Sequence, residues 1–280
     1  MRDHSSVERT DEGRPAGLPA ARFAAATLRS RPVSFAERTV AFTTCFNFRD
    51  LGGWRTVDGR HVRWRTLYRA DTLHRFDDED RVRFGELGIR TVVDLRGRHE
   101  LERDGRLGHV DGVRYHHVPL LDQAGVGAEQ AVDARVPSLA DAYVAMAERG
   151  RAAVARCVGL LAEPGALPAV FHCTAGKDRT GIVAAVVLSA IGVLEADVVA
   201  DYALTAASRG ARRAWLAVHD PAFAAHLDTL PPEALEVRPA AIAALVEHLR
   251  LAYGSAAAYL RAGGLADGAL ARLRQGLLEG

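Results

Sequence analysis

The chain has 280 residues, 49% of them hydrophobic, and a formal net charge of +1. That balance fits one large globular domain or two small ones, and it leaves no electrostatic footprint for nucleic acid. The longest apolar run, Ile182 to Leu194, is too short and too interrupted to span a bilayer, and the three dispersed cysteines (Cys45, Cys157, Cys173) fit no disulfide framework. These readings predict a soluble protein of a reducing, cytoplasmic compartment.

Residues 1–36 mix charge with Pro, Gly, Ala and Ser and read as a flexible tail, with a short helix at Ala20 to Leu28 and no apolar stretch for a signal peptide. A single catalytic domain is expected over 37–280. RTVDGRHVRW carries an Asp58-Gly59 turn signal and reads as a β-hairpin leading into strand RTLYRA. DDEDRVRFGELG is acidic at its front and closed by Gly88, as a short helix should be. IRTVVDLR and VRYHHVPL read as strands. Residues 138 to 163 read as helix interrupted near Gly150, PAVFHC as a third buried strand, and TGIVAAVVLSAIG as the helix after it. The remainder is helical: Glu195 to Ala207, a stretch around Trp215, Pro239 to Tyr253, Ser255 to Ala262 and Leu265 to Leu277. Strands separated by helices predict an α/β fold with a mostly parallel central sheet flanked by helices and a helical C-terminal part.

The segment HCTAGKDRTG, residues 172–181, lies between the third strand and its helix. In open α/β sheets such a position offers free N–H groups and a helix dipole to an anion. Gly176 supplies backbone freedom, and Gly181 permits tight packing where the helix starts. Five residues, Thr174 to Asp178, separate Cys173 from Arg179, enough to curl into a cradle with the sulfur at its floor and the guanidinium at its rim. Arginine binds two phosphate oxygens at once, and the field of Arg179, Lys177 and the helix end favours a thiolate over a thiol. His172 is placed to brace the loop from behind, and the Thr180 hydroxyl to hydrogen-bond the sulfur. Nucleotide hydrolysis is disfavoured: Asp178, not Ser or Thr, follows Lys177, and Phe171 stands where a P-loop needs glycine.

HC-x5-R-T resembles the signature loop of the cysteine-dependent protein tyrosine phosphatases. The fuller HCTAGKDRTG is similar to the bacterial branch with dual protein and phosphoinositide activity. NFRDLGG (47–53), YRADTL (68–73), DLRGRHE (94–100) and YGSAAAYLRAGGL (253–265) resemble further landmarks of that family, in its order. The resemblance implies a tyrosine phosphatase-like fold and hydrolysis of phosphotyrosine, with phosphoserine or phosphothreonine as further substrates, on proteins through a phosphocysteine; phosphoinositide hydrolysis as the main activity and a silent phosphate-binding module are the alternatives. It implies Cys173 as nucleophile, Arg179 as phosphate clamp, and Thr174, Ala175, Gly176, Lys177 and Thr180 as substrate-binding positions. The acid is Asp178 by the bacterial branch, or Asp122 by the wider superfamily. The resemblance also implies a helical lid, for which AYVAMAERG (142–150) is the candidate, and it admits secretion without a signal peptide.

Asp94 and Arg96 read as a strand-end ion pair that also abuts the loop, with Asp94 holding Lys177 or Arg179. Lys177 reads as widening a positive pocket towards inositol phosphates, with Arg49 and Arg98 as rim cations; Arg49 and Asp50 otherwise read as scaffold. Cys45 and Cys157 read as core. The dispersed histidines predict no metal site, and no cofactor is expected.

Overall fold

The computed structural model describes Met1, residues 34–121 and residues 138–280. A short helix α1 (Phe35–Arg38) precedes strands β1 (Arg49–Asp50), β2 (His61–Val62) and β3 (Leu67–Ala70). Helix α2 (Asp78–Glu86) leads to β4 (Thr91–Asp94), α3 (Arg98–Asp104) and β5 (Arg114–His117). Helices α4 (Leu139–Arg149) and α5 (Arg151–Leu161) precede β6 (Ala169–His172) and α6 (Asp178–Ile191). Then come α7 (Glu195–Ala203), a 3-10 turn (Leu204–Ser208), α8 (Arg209–His219), α9 (Pro221–Asp228) and α10 (Pro232–Leu235). Helices α11 (Pro239–Tyr253), α12 (Ala256–Ala262) and α13 (Ala269–Leu277) follow, and β7 (Leu278–Glu279) closes the chain.

The main sheet has the order β1-β3-β6-β4-β5, with β1 antiparallel to β3 and the other pairs parallel. Side chains alternate across a strand, and the apolar residues sort accordingly. Val170 faces one core with Val92, Tyr68, Phe48 and Phe84. Ala169 and Phe171 face the other with Val93, Leu67 and the helices of the C-terminal part. Both faces of the sheet are therefore covered, which is why its central strands read as unbroken apolar runs. Helix α6 is buried at every position but Ser189, as an apolar-all-round sequence demands, and it stops where Gly192 takes φ +96°.

This is the expected α/β architecture with a helical C-terminal part. Two local expectations change, and the expected interruption near Gly150 is found. The 56–60 turn forms, with Gly59 at φ +87° and an isolated bridge between Arg55 and His61. The strand after it, β2, pairs with β7 at the other end of the chain instead of extending a hairpin. The break between α4 and α5 falls at Gly150, whose Cβ would stand 2.8 Å from the Leu120 carbonyl oxygen; close packing, not a helix stop signal, fixes glycine there. Residues expected as uninterrupted helix to Ala207 tighten into the 3-10 turn after Ala203. The Ala20 to Leu28 helix lies outside the described residues.

Candidate active site

The sheet register brings three distant segments to one level. Ala70 pairs with His172, and Asp94 pairs with His172 on its other side. YRADTL, DLRGRHE and HCTAGKDRTG therefore leave the carboxyl ends of adjacent strands together. Cys173 follows β6 directly, and the turn 174–177 leads into α6. Gly176 takes φ +64°, and a Cβ there would lie 2.6 Å from the Ala70 oxygen, so glycine is required twice over. The turn is tied from behind: Asn47 Nδ2 donates to the Ala175 and Gly176 oxygens at 3.2 and 3.1 Å, and Arg69 Nη2 donates to the Gly176 oxygen at 2.6 Å. Among the described residues, no acceptor is paired with the backbone N–H of Thr174 through Asp178. A turn with free backbone donors of this kind can hold an anion.

Cys173 is 2% exposed at the floor of this turn. Arg179, in the first turn of α6, is gripped by Glu100 of α3: Nη2 lies 2.8 Å from Oε1, and Nη1 donates to Oε2. Glu100 Oε2 also accepts the Gly97 N–H at 2.8 Å, and the Thr174 hydroxyl donates to Oε1. Burial alone would raise the Glu100 carboxyl, yet the Arg179 guanidinium, the Thr174 hydroxyl and the Gly97 amide bring it down to about 2. The guanidinium is thus fixed in a plane, while its buried Nε has no hydrogen-bond partner. The Thr180 hydroxyl is buried and also without a hydrogen-bond partner, the Cys173 sulfur included; the expected bond is not formed. His172 sits behind the loop as expected, its Nδ1 3.3 Å from the Cys173 oxygen. Burial lowers the imidazole from its ordinary 6.5, so the ring is neutral at pH 7 and stands 3.7 Å from Asp94 as a contact, not an ion pair.

Asp178 Oδ1 accepts the Tyr143 hydroxyl at 2.7 Å and lies 3.2 Å from Lys177 Nζ; Tyr143 in turn meets the Tyr202 hydroxyl at 2.6 Å. Gly181 makes room for the Tyr202 ring, whose Cδ2 would stand 3.0 Å from an added Cβ. Lys177 is buried, and its ammonium donates to the Ala234 oxygen and, at 3.1 Å, to the Glu236 oxygen. The segment from the 3-10 turn to α10 thus lies over the loop, enclosing a cavity of about 410 Å³. Its lining includes Ala175, Lys177 and Asp178 on one side and Arg209, Arg212 and Arg213 on the other.

The geometry corrects several expectations. The cover is this segment and not 142–150: α4 is core, with Tyr143 and Ala147 wholly buried and the helix packed on α11. Asp94 holds neither Lys177 nor Arg179. It pairs with Arg96 at 2.7 Å and accepts the Tyr115 hydroxyl at 2.7 Å, because Glu100 and the Ala234 and Glu236 carbonyls already engage the two cations. Arg49 is no rim cation; it is wholly buried against Asp201. Arg98 is exposed at the start of α3. Cys45 and Cys157 are buried as expected. Asp122 lies outside the described residues. Glu100, Asn47, Arg69, Asp201 and Tyr143 were given no individual role, although the first three stand inside the quoted motifs. Among the described residues no three His, Cys, Asp or Glu side chains converge as metal ligands, and no helix is long and apolar enough to cross a membrane.

The model of the tyrosine phosphatase family matches residues 40–279. The chain is 31% identical over 272 residues to the triple specificity protein phosphatase PtpB of Mycobacterium tuberculosis, a match covering 83% of this chain and 96% of that protein. It is 32% identical over 236 residues to a protein of Cupriavidus necator named as a tyrosine-protein phosphatase, covering 79% and 82%. A tyrosine-protein phosphatase of Nostoc commune is 31% identical over 139 residues, about half of each chain.

Proposed function

The chain belongs to the tyrosine phosphatase family, and from that premise we propose how its own residues carry out the hydrolysis. The Cys173 thiolate attacks phosphorus. A sulfur–phosphorus bond forms as the bond to the tyrosyl oxygen breaks, and Asp178 gives that oxygen its proton. Water then attacks the phosphocysteine, Asp178 takes a proton from it, and phosphate leaves with the thiolate restored. Arg179 and the free N–H groups of 174–178 hold the phosphoryl oxygens through both steps, each such donor being worth on the order of 3 kcal/mol in the transition state.

One observation carries this reading. A cysteine ends the central strand beneath a turn of free backbone donors, and the arginine that closes the turn is already held in plane by Glu100. Asp178 is favoured as the acid because its carboxylate lines the cavity beside the loop. Phosphorylated proteins are the substrates this reading gives. The cations around the same cavity favour a second one, in which phosphoinositides are also hydrolysed; a relative named for triple specificity supports a site that accepts more than one class of substrate.

The test is turnover of a phosphotyrosine peptide, p-nitrophenyl phosphate, phenyl phosphate and a phosphoinositide panel. Cys173→Ser is expected to remove all turnover and to keep phosphate binding. Asp178→Asn should slow phenyl phosphate far more than p-nitrophenyl phosphate, whose leaving group needs no proton. Normal turnover by Cys173→Ser would refute the mechanism, and equal slowing of both esters would remove Asp178 from the acid role.

A further inference from the structure

Two arginines and one aspartate lie wholly buried behind the loop. Arg49 Nε is 3.1 Å from Asp201 Oδ1, and Arg69 Nη1 is 2.6 Å from Asp201 Oδ2. Exposure is 0% for both arginines and 1% for Asp201. Asp201 belongs to α7, far along the chain from β1 and β3 that carry the arginines. Burial and the neighbouring Arg69 bring Arg49 down to about 10, which still leaves it charged at neutral pH. The group therefore carries one positive charge more than its carboxylate balances. Unbalanced buried charge is costly, several kcal/mol per ion, so its destination matters.

The surplus is aimed at one peptide bond. Arg69 Nη2 donates to the Gly176 oxygen at 2.6 Å, and Asn47 Nδ2 reaches the same oxygen at 3.1 Å while Asn47 Oδ1 accepts from Arg49 Nη1. A peptide is planar and trans, so an oxygen clamped backwards turns the attached N–H, that of Lys177, the opposite way. A cation on the carbonyl oxygen also polarises the amide and strengthens its donor end.

We propose that Arg69 is a positioning residue that works through the Gly176–Lys177 peptide. With Arg49, Asp201 and Asn47 behind it, it fixes the direction of the Lys177 N–H and lends the anion cradle the surplus charge of the buried group. The proposal rests on the reading of 174–179 as a phosphate cradle. Neither arginine touches substrate; the charge arrives through the backbone.

Arg69→Met removes the charge and leaves Arg49 balanced by Asp201. Inorganic phosphate binding, read by titration calorimetry, should weaken on the order of tenfold, the scale of one unit charge acting through a hydrogen bond, a peptide and a second hydrogen bond, about 10–12 Å, at an effective dielectric near 20. The near-ultraviolet dichroism should be unchanged. Arg69→Lys, which keeps the charge, should recover most of the affinity. Asn47→Asp cancels the surplus with Arg69 in place but also gives up the two bonds from Nδ2 to the turn, so it should weaken phosphate at least as much, and it serves as the probe if Arg69→Met does not fold. Unchanged phosphate affinity in folded Arg69→Met or Asn47→Asp overturns the proposal, as does folded Arg69→Lys binding no better than Arg69→Met. Calorimetry needs no turnover, so a wild-type protein that binds phosphate and hydrolyses nothing refutes the phosphatase reading alone.

Discussion

Glu100→Gln isolates the ion pair that fixes Arg179. The carboxyl is held from its ordinary 4.5 down to about 2, and at about 1.4 kcal/mol per pKa unit that depression corresponds to about 3 kcal/mol of folding stability. Removing one partner of a buried pair typically costs about 3–5 kcal/mol, which agrees. The folded-state value lies below the unfolded one, so the contribution is whole above pH 4.5 and is lost as pH falls through 2. Urea denaturation of wild type and Glu100→Gln at a series of pH values measures it. The stability gap should be about 3 kcal/mol at pH 7 and should narrow steadily below pH 4.5. The thermal midpoint at pH 7 should drop by roughly 6–12 °C for a domain of this size. A gap that stays constant from pH 7 to pH 3 would refute the reasoning, because the glutamate would then be acting through packing and not through its charge.

Gly176→Ala places a Cβ at φ +64° and 2.6 Å from the Ala70 oxygen. The left-handed conformation alone costs about 1–2 kcal/mol, and the backbone contact forces the turn outwards, so phosphate affinity should fall along with the thermal midpoint; a fully active variant would contradict this geometry. Lys177→Met keeps much of the side-chain volume while cutting the bonds to the Ala234 and Glu236 oxygens. Amide exchange in residues 221–236 should then quicken while that of β6 and α6 holds steady, and unchanged exchange would show that the lysine does not fasten the cover.

Residues 169–191 were readable because every signal there is local: an apolar strand, a glycine-bearing turn and a helix apolar on all sides follow one another without a gap. The features that escaped reading depend on distant partners. His61–Val62 has a turn on one side, and its real partner is at the opposite end of the chain. Glu100 stands in a seven-residue polar helix with no apolar period to announce it, and its partner is 79 residues away. Arg49 reads from sequence as scaffold or as a rim cation; its burial against Asp201, 152 residues on, decides for scaffold. The family resemblance points to 142–150 for the lid, but the apolar residues of α4 are there because that helix is core. A local sign of one helix of this segment stands in Asp220–Pro221, an N-cap followed by proline at the first helical position, but nothing local says what that helix covers.

That cover has an apolar cluster of its own. Leu216, Ala224 and Leu227 pack with Trp215, Phe223, Leu230 and Leu235, apart from the two clusters that sandwich the sheet. Its described ties to the rest include the Lys177 bonds, the Arg75–Asp220 pair at 3.5 Å and Trp215 beside Phe46. Segments with small private cores open as separate cooperative units, at free energies well below that of global unfolding. A segment held this way is expected to open more readily than the sheet unfolds, so substitutions in its cluster should change its own opening more than they change the stability of the sheet that aligns Cys173.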